Sequence, residues 1–172
     1  MNRLRLFSLV VFAFLLTSAA RPLHAQIGLY AGFSGASVSA ASSDWAYGPI
    51  VGIYKQSGHL ASTISFGGDL RGSFINRNGF HYYTGAVGPR IAFKAPVIPL
   101  RPYFEGLVGV ANYNTATGTD SNTHFNYQIV GGLDLTLIPR VDWRVLDFAY
   151  SAVSGQSVNA KILSTGLVIR IW

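Results

Sequence analysis

Apolar and polar side chains alternate along most of this 172-residue chain. From Gln26 onward the alternation runs in about eight segments of roughly 10–14 residues, separated by short turn-rich pieces. A period of two places successive side chains on opposite faces of a β-strand, and no segment shows a helical period. We therefore predict eight strands, Ile27–Ser39, Tyr47–Gln56, Thr63–Ile75, Tyr82–Lys94, Pro102–Tyr113, Phe125–Leu137, Val141–Val153 and Asn159–Trp172.

The composition indicates where these strands lie. Hydrophobic residues make up 49% of the chain and charged residues only 12%, whereas soluble domains average about 25% charged residues. Past the first 25 residues there is no apolar run of about 18, the length that a transmembrane helix needs. The other backbone arrangement that a bilayer tolerates is a closed barrel, in which neighbouring strands satisfy every backbone hydrogen bond. We predict an all-β fold, an antiparallel up-and-down transmembrane β-barrel of about eight strands.

The first 25 residues have the pattern of an export signal. Arg3 and Arg5 precede an apolar run over residues 6–16, and small residues lead to Ala25. This order is typical of a secretory signal peptide, and the run is short for a membrane span. We predict cleavage after Ala25, with Ala20 as the alternative, which leaves one barrel domain over residues 26–172. The chain has no cysteine, which excludes a disulfide framework and a lipid-modified N-terminal cysteine.

The alternation also has a direction. In the third strand Phe66, Leu70 and Phe74 share one face. Asp69 and Arg71 share the other. In a bilayer the apolar faces must meet lipid, so the polar faces would point into the lumen. The alternative is a secreted lipocalin-like binding barrel, which alternates in the opposite sense, with its apolar faces inside.

Charged residues on the polar faces are candidates for a network in the lumen. The interior of an eight-stranded barrel is only wide enough for side chains to fill it. Because isolated buried charges are costly, opposite charges should pair across it. We expect this filled lumen, and an ion pathway gated by the same pairs is the alternative. The candidate residues are Asp69, Arg71, Arg90, Glu105, Asp134, Asp147 and Arg170.

Two groups of residues fit the alternation less simply. In the seventh strand Asp142, Arg144 and Asp147 cannot all face one way unless Arg144 lies at the membrane boundary or a β-bulge intervenes.

The aromatic residues concentrate near predicted strand ends, where amphipathic rings prefer the headgroup level. We expect many of them to form two girdles; the candidates include Tyr30, Trp45, Tyr54, Tyr82, Tyr103, Tyr113 and Trp143.

The two ends of the mature chain resemble a known family. The opening strand Gly28-Leu29-Tyr30-Ala31-Gly32-Phe33-Ser34-Gly35, the eight alternating segments and the aromatic C-terminus are similar to small outer-membrane β-barrel proteins of OmpA/OmpX type. The resemblance implies location in the cell outer membrane, among its lipids and lipopolysaccharide. It also implies a C-terminal assembly signal for the barrel-assembly machinery, although Trp172 lies one residue beyond the alternating set. The signal residues are Leu167, Ile169, Ile171 and Trp172.

Placing both termini in the periplasm puts the longest polar loop outside. Residues Asn114, Asp120, Asn122 and His124 of this loop are the candidates for contact with external molecules.

The scattered basic residues do not form a nucleic-acid footprint. No His, Asp or Glu cluster has metal-ligand spacing, no glycine-rich phosphate loop is present, and we expect no cofactor.

A search for catalytic groups finds little. His59 lies in a predicted periplasmic turn. His124 beside Ser121 or Ser154 is the one arrangement that could face lipopolysaccharide, and no acidic residue is placed to orient it. We therefore expect a structural or interaction barrel with exposed loops rather than an enzyme. The alternatives are a narrow channel and a lipid A-modifying outer-membrane enzyme.

Overall fold

The computed structural model describes residues 26–39, 45–61, 63–77, 79–94, 98–114, 122–155 and 158–171, with the backbone alone for residues 57–61 and 122. The predicted signal peptide, Asp120 and Trp172 lie outside the described residues. Within the described part of the chain, no helix is long and apolar enough to cross a membrane.

Eight antiparallel strands form one closed barrel. Each strand pairs with the next along the chain, and β1 pairs with β8 to close the sheet. The eight-stranded up-and-down barrel predicted from the alternation is therefore confirmed. The strands are β1 (Gln26–Val38), β2 (Trp45–Ala61), β3 (Ile64–Arg77), β4 (Phe80–Phe93), β5 (Leu100–Tyr113), β6 (Asn122–Ile138), β7 (Val141–Val153) and β8 (Asn159–Arg170).

The strand ends differ from the sequence prediction mainly in β2 and β6. β2 continues to Ala61, so the backbone of His59 lies in a strand and not in the predicted turn. Register shifts with β3 on either side of His59 absorb this irregular stretch, whose Ser, Gly and His residues resemble a turn in sequence. β6 begins at Asn122, three residues before the predicted start, because its pairing with β5 continues to Tyr113.

The outer wall of the barrel is apolar. Outward side chains such as Leu70, Val87 and Phe125 are 52%, 52% and 55% exposed. Their neighbours along the strands, among them Asp69 and Asn126, are fully buried inside the barrel. The alternation therefore has the sense expected for a barrel surrounded by lipid. It is opposite to that of a lipocalin-like barrel, which argues against that alternative.

The lumen is filled by two kinds of side chain. We call the end of the barrel with Gln26 and Arg170 the termini end and the opposite end, with the β3–β4 hairpin, the loop end. Toward the loop end, Ile75, Phe80 and other apolar side chains pack together, beside uncharged polar side chains such as Asn126. Charged side chains occupy the middle and the termini end. The prediction of polar inner faces thus holds for only part of the lumen, since much of the loop-end half is filled by apolar side chains.

A β-bulge interrupts β7. Its register with β8 shifts between Arg144 and Asp147, and its register with β6 shifts at the same level, between Leu133 and Asp134. Because the bulge adds one residue to β7, Arg144 and Asp147 both face the lumen although they are three residues apart. The bulge considered from the sequence is present, and the placement of Arg144 at the membrane boundary is wrong.

Candidate functional site in the barrel lumen

Six buried charged side chains from five strands meet at the middle of the lumen. Each of them is at most 2% exposed. Three are arginines and three are carboxylates, and they alternate around a closed circuit that we call the charge ring. Its members, in order, are Arg71 on β3, Glu105 on β5, Arg90 on β4, Asp134 on β6, and Arg144 and Asp147 on β7.

One half of the charge ring is held by two bridging carboxylates. Glu105 accepts a hydrogen bond from Arg71 Nη2 to its Oε2, at 2.7 Å, and another from Arg90 to its Oε1. Asp134 accepts hydrogen bonds from Arg90 Nη2 at 3.1 Å and from Arg144 Nε at 3.0 Å. Each carboxylate therefore joins two arginines on different strands, which ties β3 to β7 through the interior.

Asp147 closes the circuit. It accepts two hydrogen bonds from Arg71, both at 3.1 Å, in the two-pronged geometry that suits a guanidinium and a carboxylate. Its Oδ2 also lies 3.6 Å from Arg144 Nη1. Asp69 stands beside the ring, with its Oδ1 3.6 Å from Arg71 Nε and accepting a hydrogen bond from the Tyr30 hydroxyl at 2.8 Å. Every charge in the ring thus has two opposite charges next to it, which offsets the cost of burial.

Three tyrosines interleave with two of these arginines. The guanidinium of Arg90 lies 4.3 Å from the ring centroid of Tyr54 and 3.8 Å from that of Tyr103. The guanidinium of Arg144 lies 4.8 Å from Tyr103 and 3.9 Å from Tyr30. The five side chains form an alternating stack of cations and aromatic faces, each contact within the range of a cation–π interaction.

Each stacked tyrosine lies over a glycine on the neighbouring strand. A Cβ added at these glycines would lie 2.2–2.3 Å from the nearest ring atom, much closer than van der Waals contact. Glycine is therefore required where the ring crosses the adjacent backbone. The cross-strand pairs are Tyr30 with Gly52, Tyr54 with Gly28, and Tyr103 with Gly132.

A second charged group lies at the termini end of the lumen. Arg170 Nε is 2.9 Å from Asp142 Oδ2, and Arg101 Nη1 is 4.0 Å from the same oxygen. Arg101 also donates a hydrogen bond to Gln26 on β1. Arg170 therefore belongs to this group and not to the charge ring, because β8 reaches the termini end where it pairs with Gly28.

The structure brings most of the sequence candidates together. Asp69 and five members of the charge ring were candidates from the alternation, while Arg170 lies apart. Sequence reasoning missed Arg144 and Asp142 in the lumen, and it assigned Tyr30, Tyr54 and Tyr103 to the interface girdles. Tyr103 could have been found, because it precedes Glu105 by two residues and so shares its face. The rings of Tyr82 and Tyr113 also face inward, and both are at most 9% exposed.

The loop and C-terminal candidates lie elsewhere. Asn114 is tied to the β3–β4 hairpin: its Nδ2 donates to the Gly79 carbonyl at 2.8 Å and its Oδ1 accepts from the His81 amide at 2.7 Å. His124 stacks on Tyr113 with ring centroids 5.6 Å apart, and Asn122 begins β6. The described side chains proposed as an assembly signal are exposed, with fractions of 41–56% at Leu167 and Ile169 on β8 and at Ile171 just after it.

The described residues contain no group of three His, Cys, Asp or Glu side chains that could hold a metal ion. The carboxylates of the charge ring are instead bound to arginines. Their arrangement connects strands and occupies the cross-section of the lumen.

Comparison with known proteins gives matches among solved structures alone. No protein-family model and no curated protein sequence matches the chain. The N-terminal β-barrel domain of Pseudomonas aeruginosa OprF is similar with a TM-score of 0.58 at 14% identity, over 85% of this chain and 97% of that one. Neisserial surface protein A gives 0.56 at 16% identity, over 84% and 96%. Ail of Yersinia pestis gives 0.54 at 14% identity, over 85% and 98%.

These structures define a class. Their matched chains are covered almost completely, so the likeness extends to the whole barrel. The chain has the fold of the small eight-stranded outer-membrane β-barrels. At 14–16% identity the similarity concerns the fold, and function must be argued from the residues of this chain.

Proposed function

We propose that this chain is an outer-membrane barrel whose lumen is closed by the charge ring and whose role is structural and interactive, with loops presented outside. The observation that carries this proposal is the closed circuit of six buried, alternating charges inside an apolar wall. Export by a cleaved signal peptide and assembly through Leu167, Ile169, Ile171 and Trp172 belong to the same proposal.

The apolar wall supports insertion in a membrane. Side chains such as Val87, Val108 and Ile129 are half exposed at mid-strand, and in water each would lose the benefit of burial. A lipid bilayer removes that cost, and a closed barrel leaves no unpaired strand edge within it. The five acidic residues in the described part of the chain are all buried inside the barrel, so none of them faces the lipid.

The charge ring supports a closed lumen rather than an open pore. Asp147 and Glu105 each bind two arginines, so a passing ion would have to separate several buried pairs. Breaking one buried pair costs about 3–5 kcal/mol. Toward the loop end the path is further occupied by apolar side chains such as Ile75 and Phe80.

Two measurements test the proposal. In SDS gels of the outer-membrane fraction, the unheated protein should migrate as a compact band that shifts on boiling. The purified barrel and the wall variant Val87→Ala should give no steady conductance in a planar bilayer. The double variant Asp134→Ala/Arg144→Ala should give none either, because apolar side chains toward the loop end still occupy the lumen. Absence of the band shift would refute the membrane barrel, and steady conductance of the unmodified chain would instead support a narrow channel.

An enzymatic role has its own test. Overexpression of the unmodified chain should leave lipid A acylation unchanged, and His124→Ala should leave every membrane phenotype unchanged. Altered acylation that His124→Ala abolishes would replace the structural role with a lipid-directed activity.

A further inference from the structure

Three exposed basic residues lie at the termini end of the barrel. Three pairs of neighbouring strands are joined there, and each pair supplies one base: Lys55 on β2, Lys94 directly after β4, and Arg140 between β6 and β7. Lys55 pairs with Ile27 at the start of β1, and the Lys94 amide donates to the Thr63 carbonyl just before β3. The three bases are thus spread around this end, two or three strands apart, and we call them the basic rim.

The basic rim is not neutralised by acidic residues of the chain. Residues 53–66, 91–104 and 135–141, which contain the three bases and their connections, include no aspartate or glutamate. Five of the seven acidic residues lie inside the barrel. The other two, Asp44 and Asp120, precede β2 and β6, which both begin at the loop end. Within the described part of the chain, none of the three bases makes an ion pair or a side-chain hydrogen bond.

The mouth of the lumen inside the rim is positive as well. Arg101 and Arg170 both lie beside a single carboxylate, that of Asp142, so this group has one positive charge in excess. With the three bases of the rim, the termini end holds four more positive than negative charges. A molecule that approaches this end therefore meets a positive field, which favours an anion.

Each base of the rim borders the apolar outer wall. The apolar side chains next to the bases along the strands are 39–53% exposed; they are Ile53, Phe93, Leu137 and Trp143. At such a boundary a basic side chain lays its stem along the apolar surface and keeps its charge among the lipid headgroups. A tryptophan prefers the same level. The bases therefore lie where the lipid-facing wall ends and the headgroup layer begins.

The turn at Arg140 gives a second, independent observation. Its φ angle is 76°, in the left-handed region that favours glycine. The Arg170 amide donates to the Arg140 carbonyl at 2.7 Å, which fixes the turn against β8. The chain thus places a long basic side chain at a position whose backbone favours glycine, and strain of this kind is characteristic of functional positions.

We infer that the basic rim binds the phosphate groups of anionic phospholipids in the periplasmic leaflet of the outer membrane. This inference rests on the proposed function, with the termini in the periplasm. Each base attracts one anionic headgroup, while the acyl chains of that lipid lie on the apolar wall beside it. Because the bases lie on different sides of the barrel, separate lipid molecules can contact all three, whereas a water-soluble partner would leave the adjoining wall uncovered.

The test uses Trp143 as a local reporter of the lipids beside Arg140. Trp143 is exposed three residues after Arg140, and Trp45→Phe/Trp172→Phe makes it the only tryptophan. The purified barrel is folded in phosphatidylcholine vesicles that contain brominated phosphatidylglycerol or brominated phosphatidylcholine at equal mole fractions. Quenching of the fluorescence then gives the relative affinity of the two lipids at this site. We expect a preference of about fivefold for phosphatidylglycerol, which Arg140→Gln should abolish and Arg140→Lys should largely keep.

Two further reporters extend the test to the rest of the basic rim. Ile53→Trp beside Lys55 and Phe93→Trp beside Lys94, each as the only tryptophan, should show the same preference. Lys55→Gln and Lys94→Gln should each abolish it at the neighbouring reporter. Lys161→Gln is the matched control, because it removes one exposed base from β8 at the loop end; it should leave the preference at all three reporters unchanged.

The outcomes separate this inference from the proposed function. Each variant must first show the heat-dependent band shift, which establishes that it is folded. Equal quenching by the two lipids when the rim is intact would overturn the inference and leave the proposed function standing. Equal losses in Arg140→Gln and Lys161→Gln would show attraction by net charge alone, and binding of purified peptidoglycan through the same bases without a lipid preference would show an acidic polymer as the partner; either result would also overturn the inference. Failure of the unmodified chain to insert into vesicles would refute the proposed function itself.

Discussion

Gly132→Ala should destabilise the barrel, because the new methyl group would collide with the ring of Tyr103. The added Cβ would lie 2.2 Å from both Cζ and Oη of that ring, against ordinary contacts of 3.4–4 Å. The ring cannot easily retreat, since its hydroxyl donates to Asp147 at 2.5 Å and Arg90 lies 3.8 Å from its centroid. The barrel must therefore accept overpacking or move the stacked side chains.

The expected loss of stability follows from these two alternatives, overpacking of the interior or displacement of the stacked side chains. Overpacking a tight interior costs about 1–3 kcal/mol, and losing a hydrogen bond to a carboxylate costs about 1.5–3 kcal/mol. We expect the free energy of unfolding to fall by about 2–3 kcal/mol, which is about 30- to 140-fold in the folding equilibrium. The adjacent Gly131→Ala is the control: its Cβ would meet no atom within 4 Å, so it should not destabilise the barrel.

Urea titration of the barrel folded in detergent micelles, followed by tryptophan fluorescence, measures both variants. A double-mutant cycle with Tyr103→Ala isolates the collision, because Gly132→Ala should be nearly neutral once the ring is absent. The interaction energy between the two substitutions should then account for most of the loss of about 2–3 kcal/mol. Equal costs of Gly132→Ala with and without the tyrosine would refute the proposed role of the glycine.

Three further predictions concern the charge ring, the wall and the orientation. Glu105→Gln should lower the free energy of unfolding by about 3–5 kcal/mol, because it leaves two buried arginines short of a carboxylate; a loss under about 1 kcal/mol in the same titration would contradict the ring's energetics. Val87→Arg, at the middle of the wall, should cost about 2–4 kcal/mol and Leu137→Arg, near the termini end, about 0–1 kcal/mol; similar costs at both sites would argue against a bilayer around the barrel. Since the chain has no cysteine, Asn114→Cys should react with a membrane-impermeant maleimide in intact cells and Arg140→Cys only after permeabilisation, and the reverse pattern would invert the proposed orientation.

The fold could be predicted because every strand of such a barrel has one face toward the lipid. That requirement imposes the period of two on the sequence, and β3 and β6 show it most clearly, as in the outward Leu70 and the inward Asp69. The members of the charge ring on β3 to β6 were found for the same reason. On those strands the parity of a residue, its odd or even position along the strand, alone decides whether its side chain faces the lumen.

Arg144 and the tyrosines show where parity is insufficient. One extra residue in a strand reverses the face of everything beyond it, and the sequence indicated the bulge after Arg144 only as one of two ways to place the charges of β7. Tyr30 and Tyr103 could belong to a girdle or to the lumen, since an aromatic ring suits both. What decides their place is the glycine across the sheet, and that pairing depends on the register between strands, which the sequence alone does not reveal.

The bulge in β7 explains how the charge ring closes. Arg144 and Asp147 are three residues apart, so in a regular strand they would lie on opposite faces, one of them in the lipid. The extra residue turns both inward, where Asp134 binds one and Arg71 binds the other. Because β7 then supplies an adjacent cation and anion, the circuit that starts at Arg71 returns to it without an unpaired end. Each member consequently keeps an opposite charge beside it when one pair separates, which is why the lumen should resist opening at a single pair.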